Sequence, residues 1–411
     1  MASQRTHEQL VRTILHTQFH RDVNSITPLG GGINSFVYIV SLTATDNPPT
    51  LQSQPGVSPL PSSSTAVVFR LSNPESMLNE AVRVQSEVAT MALMRDALSS
   101  FETRVIPDVY GWNGSSEGTD GWVLMELMPG EFLGREKFSA LDFEEKRIVV
   151  RDMAGIFGAI QRYELPASVK GFGGLGFDGE GNVVTGPTPI HGGGPCEELR
   201  DLYAEYFETQ MGFADRCDVV KGWKGTGVRE RLDQFAGEGL KEVLDELSLQ
   251  TRQTLVHGDF DLQNLLYDPL TKRITALLDF DFSHVGSQAD EYFYSFALES
   301  YIVPPPICPE PEKTVRTRLL DGFKGALPDM EGVDWKLIQL VDDEFGKAGV
   351  RRPHEITGID ELATLYWFIQ DISPPMFFLK RWRSRAKPEN IERIRQSTQS
   401  QLETYLGGWG Y

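Results

Sequence analysis

Three oxygen-bearing side chains in one short stretch have the types and spacing for group-transfer chemistry. The segment LVHGDFDLQNLLYDPLTKRITALLDFD spans residues 255–281. Asp259 follows His257 and Gly258, Asn264 stands five residues further on, and an apolar run ends at Asp279-Phe280-Asp281. A carboxylate on a turn after an apolar strand can accept a proton from a hydroxyl, which is the role expected of Asp259. Asn264 offers a neutral oxygen and Asp279 a charged one. Hard oxygens in this small number suit Mg²⁺, which keeps waters and phosphate oxygens in its shell. Together they meet the needs of phosphoryl transfer: a group to orient the nucleophile and a metal to neutralise phosphate charge. His257 is read as holding the loop, not as a base.

These residues need a frame. Residues 7–20 place Leu10, Val11, Ile14, Leu15 and Phe19 at helical spacing. The stretch ITPLGGGINSFVYIVSL reads as strand, glycine turn, strand. Residues 43–66 are rich in Pro and Ser and read as a flexible insertion in a hairpin. A third strand, AVVFRL, is followed by a helix over 75–97, and 106–112 and 121–130 read as two further strands. Beyond Gly130 the pattern is mostly helical, with helices expected over 141–162, 197–211 and 228–248 and two short strands around the turn at Asp268. The fold expected is α+β and bilobal: a small β-rich lobe over 1–128 and a larger, mostly helical lobe over 129–411.

The order of these motifs resembles the aminoglycoside phosphotransferase and choline kinase family of the protein-kinase-like superfamily. His257-Gly258-Asp259 with Asn264 is similar to its catalytic loop, and Asp279-Phe280-Asp281 to its metal strand. Gly30-Gly31-Gly32-Ile33-Asn34 resembles its nucleotide loop, Glu87 the acidic residue of its helix, and Met125-Glu126-Leu127-Met128 its hinge. Phe172-Gly173 through Gly194-Pro195 resembles an insert of fungal-type members. The resemblance implies ATP and Mg²⁺ as cofactors, with adenine at residues 125–128 and phosphates under Gly30, Gly31, Gly32 and Asn34. Asn264 and Asp279 would hold the metal, and Asp259 would orient an acceptor hydroxyl. Arg70 stands where the family carries Lys; its planar fork can bind phosphate and Glu87 together. Asp281 replaces the glycine of protein kinases, which argues against a switching loop.

Acidic residues near the loop, Asp261, Asp281, Asp290 and Glu291, point to a cationic acceptor such as an amino alcohol. For Asp290 and Glu291, helix capping is the alternative. Two other functions stay open: a non-catalytic nucleotide-binding or scaffold protein, and a protein kinase. The second is disfavoured because helix signals resume soon after Asp279.

Composition narrows the setting. The 411 residues carry 39 Lys and Arg against 58 Asp and Glu, a net charge of −19 that repels nucleic acid and anionic membranes. The basic run at 380–387 does not outweigh it. Tyr292, Phe293, Tyr294, Phe296, Tyr366, Trp367 and Phe368 read mostly as helix core. Three cysteines without paired spacing exclude a disulfide framework, and no stretch reads as a signal peptide or membrane span. A cytoplasmic enzyme acting on a small molecule is the expectation; oligomeric state is open.

Overall fold

A computed structural model describes residues 2–30, 34–45, 53–76, 78–115, 120–190, 193–247, 252–297 and 300–411. The first helix, α1 (Ala2–Phe19), buries Val11, Ile14, Leu15 and Phe19 against one face of a sheet. That sheet comprises β1 (Val23–Leu29), β2 (Ser35–Leu42), β3 (Ala66–Ser72), β4 (Val109–Asn113) and β5 (Trp122–Glu126). It is antiparallel in the order β1-β2-β3-β5-β4. The helix α2 (Glu80–Ala97) begins at Asn79, later than the expected 75, because residues 73–76 form a turn around Pro74.

The insertion expected to be flexible needs correction over its second half; residues 46–52 lie outside the described residues. Gln54 pairs with Trp112 through both amide groups, its Nε2 donating to the Trp112 carbonyl at 2.7 Å. Trp112 Nε1 donates to the Pro55 carbonyl, the Ser58 amide donates to the Val109 carbonyl, and Leu60 is buried. The outer edge of β4 offers unpaired backbone groups, and this segment covers them.

A second core begins under α2. Val84, Val88, Met91 and Met94 join Val109, Val123 and Met125, and the same cluster runs on through the helical part of the chain. That part opens with β6 (Glu131–Phe132), α3 (Gly134–Ala140) and α4 (Phe143–Arg162), the last started by a capping box between Asp142 and Glu145. A hairpin of β7 (Gly174–Phe177) and β8 (Val183–Gly186) follows, then α5 (Leu199–Arg216), α6 (Val228–Gln234) and α7 (Leu240–Glu246).

Four short strands carry the motif residues: β9 (Thr254–Val256), β10 (Leu265–Tyr267), β11 (Ile274–Leu277) and β12 (His284–Gly286). The chain closes with α8 (Glu291–Tyr294), α9 (Glu312–Asp321), α10 (Trp335–Lys347), α11 (Ile359–Ile372), α12 (Lys380–Arg383) and α13 (Pro388–Gly408). The later aromatics are core as expected, with Phe293 stacked on Tyr366. No helix among the described residues is long and apolar enough to cross a membrane. The architecture is a small antiparallel sheet region followed by a larger helical part.

Candidate active site

Strand pairing brings the three predicted side chains together. β10 and β11 form a hairpin, with β6 as its third strand, while β12 pairs back onto β9. Asp259 therefore leaves the end of β9, Asn264 enters β10, and Asp279 leaves β11. The Asn264 amide Nδ2 donates to Asp259 Oδ2 at 2.7 Å and to the Asp259 carbonyl at 2.8 Å. This sets the carboxylate's orientation and leaves Asn264 Oδ1 as an acceptor oxygen. Burial pushes the Asp259 carboxyl up to about 7; Asn264 opposes the rise, while Asp279 and Asp261 add to it.

The loop backbone is held from behind. Glu291 accepts from the amides of His257 (2.8 Å) and Gly258 (3.0 Å) and bonds the Ser295 hydroxyl, which accepts from the Phe260 amide at 2.8 Å. His257 is buried between Phe260 and Phe280, and burial lowers its pKa to about 3, so the ring is neutral. Its Nδ1 accepts the Asp259 amide at 3.2 Å, which places the proton on Nε2. His257 is thus a loop support, as read from the sequence. Gly258 has φ +78°, and a Cβ there would meet the Phe282 carbonyl oxygen at 2.5 Å. A larger residue does not fit between His257 and Asp259 on this backbone.

From the sheet, Arg70 on β3 gathers the other groups. Its Nη1 donates to Glu87 at 2.5 Å, and its Nη2 to Asp279 (3.2 Å), Asp281 (3.1 Å) and Ser35 (3.1 Å). Arg70 stays charged: burial lowers its pKa, but Glu87, Asp281 and Asp279 outweigh that. Burial raises Asp279 to about 6, with Asp281 adding to the rise and Arg70 opposing it; its side chain remains 39% exposed. Arg83 on α2, which no motif flagged, donates to Asp281 (2.9 Å), Ser35 (3.0 Å), Ser72 (2.7 Å) and Glu80 (3.0 Å).

Residues 125–128, read from the sequence as a hinge, run from the end of β5 toward β6. Met125 and Met128 are buried, Leu127 is exposed, and Glu126 spends its carboxylate on Arg104 and the Asp108 amide. Gly30 and Asn34 flank the stretch read from the sequence as a nucleotide loop; Gly31 and Gly32 lie outside the described residues.

Asn264 Oδ1 and Asp279 fit a hard divalent cation in donor type. Among the described residues no group of three His, Cys, Asp or Glu is arranged to hold a metal. An ion here would complete its shell with phosphate oxygens and water.

The family model described as the phosphotransferase enzyme family matches residues 62–298, more than half of the chain. The chain belongs to this family. Membership makes it a phosphotransferase, a small-molecule kinase by family. No curated protein matches the sequence. Two solved structures share the fold of this phosphotransferase at 14% identity and a TM-score of 0.50. One is from Ralstonia eutropha JMP134, assigned to the aminoglycoside phosphotransferases, and covers 98% of both chains. The other is the gentamicin complex of APH(2'')-IIa, covering 97% of this chain and 95% of that one.

The acceptor assignments of four acids need correction. Asp261, Asp281, Asp290 and Glu291 are each at most 3% exposed. Asp281 lies between Arg70 and Arg83, and Asp290 accepts from the Tyr203 hydroxyl and the Ser287 amide, both at 2.7 Å. Glu291 holds the catalytic-loop backbone. Neither Asp290 nor Glu291 caps α8 through its side chain; each turns inward instead. The charge of Asp281, Asp290 and Glu291 is spent inside the phosphotransferase fold, and Asp261 is buried, so these acids are no argument for a cationic acceptor.

Proposed function

We propose that this phosphotransferase moves the γ-phosphate of ATP to a hydroxyl of a small molecule, in the cleft between the sheet region and the helical part. The observation that carries this reading is the convergence of Arg70, Glu87 and Asp279 opposite the Asn264-clamped Asp259. Adenine lies along the Met125–Met128 backbone, and Gly30, Gly31, Gly32 and Asn34 cover the phosphates. Arg70, held by Glu87, turns its second nitrogen to phosphate oxygen; guanidinium geometry suits that contact. Mg²⁺, held by Asn264 Oδ1 and Asp279, supplies charge neutralisation on the phosphates. Asp259 takes up the hydroxyl proton as the oxygen attacks in line, and its raised pKa keeps it basic near neutral pH. Most of the rate gain comes from positioning and from fixed charges that need no reorganisation.

The Arg-for-Lys replacement motivated a non-catalytic reading. Arg70 reaches Glu87 and Asp279 together, which supports a working cation. The test is ATP consumption, with Mg²⁺, across alcohols, sugars, amino alcohols and hydroxylated natural-product scaffolds. Hydroxyl-dependent ADP release supports the proposal; nucleotide binding without turnover on any acceptor favours the scaffold.

A further inference from the structure

Arg83 is 2% exposed, and each of its nitrogens already has a partner. It stands one helical turn before Glu87, on the same face of α2. Its partners come from four places: Ser35 at the start of β2, Ser72 at the end of β3, Glu80 on its own helix, and Asp281 beside the metal residue Asp279. Asp281 gives one carboxylate oxygen to Arg83 at 2.9 Å and the other to Arg70 at 3.1 Å.

A buried carboxylate between two guanidinium groups is balanced only while both remain. With Arg83 in place, Asp281 takes a single contact from Arg70 and fixes where Nη2 stands. Without it, Asp281 would be an undercompensated charge competing with phosphate for Arg70.

The helix that carries Arg83 is secured from its outer side. The Ser86 hydroxyl accepts the Leu175 amide at 3.3 Å, and the Asn79 amide donates to the Pro189 carbonyl at 2.6 Å. Gly173 and Val285 exchange backbone hydrogen bonds of 3.0 and 2.7 Å, tying the β7–β8 hairpin to β12 just beyond the metal strand. α2, the hairpin and the metal strand therefore form one connected frame.

We propose that Arg83 is a positioning residue: acting through Asp281, it fixes the Arg70 guanidinium and so sets affinity for a magnesium-bound nucleotide that it does not touch. This rests on the nucleotide-binding reading above. The experiment is calorimetric titration of the full-length protein with Mg·ADP, alongside thermal melting, for wild type, Arg83→Met, Arg83→Lys, Asp281→Asn and the Arg83→Met/Asp281→Asn pair. Arg83→Met is expected to weaken binding about tenfold or more and Arg83→Lys to restore part of it. The double variant is expected to bind no worse than the weaker single one, as residues acting in series do. A folded Arg83→Met protein within about twofold of wild type, or fully additive losses, would overturn the proposal. If Arg83→Met does not fold, Arg83→Lys and Asp281→Asn carry the same test, and wild-type affinity in both overturns it. Wild type that fails to bind Mg·ADP overturns the nucleotide reading along with this one; wild type that binds, with unaffected variants, overturns this one alone.

Discussion

Asn264 donates to Asp259 twice, at 2.7 Å to the carboxylate and 2.8 Å to the backbone carbonyl. One amide thereby orients the proposed base and leaves its own oxygen available to the proposed cation. Loss of that clamp affects both roles. Asn264→Ala is expected to lower turnover and also to weaken the magnesium dependence of nucleotide binding. Paired kinetics and calorimetry check this; a variant that changes only one of the two would show that the roles are separate.

Asp279 should matter to metal-bound nucleotide more than to nucleotide alone. Asp279→Ala removes one of the two side chains proposed to hold the ion and one of Arg70's carboxylate partners. ADP affinity in magnesium is expected to fall by about tenfold or more, with little change in chelator. Titrations with and without magnesium decide it, and equal affinity in both conditions would refute the metal role.

Gly258→Ala tests why the loop reads His-Gly-Asp. The backbone there has φ +78°, and the added Cβ would press on Phe282. The cost is about 1–3 kcal/mol in stability, with turnover lost because Asp259 is the next residue. Thermal melting and kinetics are the readouts; an unchanged melting temperature would show that the loop can move.

Asp371 on α11 gives a pH prediction away from the cleft. Burial alone pushes its carboxyl up to about 7. In the unfolded chain it titrates near 4, so folding carries no penalty from it below about pH 4, a growing one up to about 7, and the full one above. Asp371→Asn is expected to stabilise the protein at pH 8 by on the order of 1–2 kcal/mol and hardly at all at pH 4. Melting curves at the two pH values check this; an equal shift at both would contradict it.

The meeting of Asp259, Asn264 and Asp279 was legible because residue type and spacing encode it locally: one pair of short strands joins them. Arg83 was not legible, since Ser35 and Asp281 lie 48 and 198 residues away from it in the chain. Asp281, Asp290 and Glu291, first read as acceptor contacts, show the complementary limit. Sequence displays their charge, whereas the burial that consumes it depends on Tyr203, Ser295 and two arginines brought in by the fold. Residues 53–65 have the composition of a linker, yet the unpaired edge of β4 orders them.

Replacing Asp259 by Asn tests the central claim most directly, because it alters one oxygen and leaves the shape. With an accepted hydroxyl compound and Mg·ATP, the variant is expected to melt like wild type and bind Mg·ADP as tightly. It is expected to release ADP slower by about a hundredfold or more. Turnover equal to wild type would contradict the account.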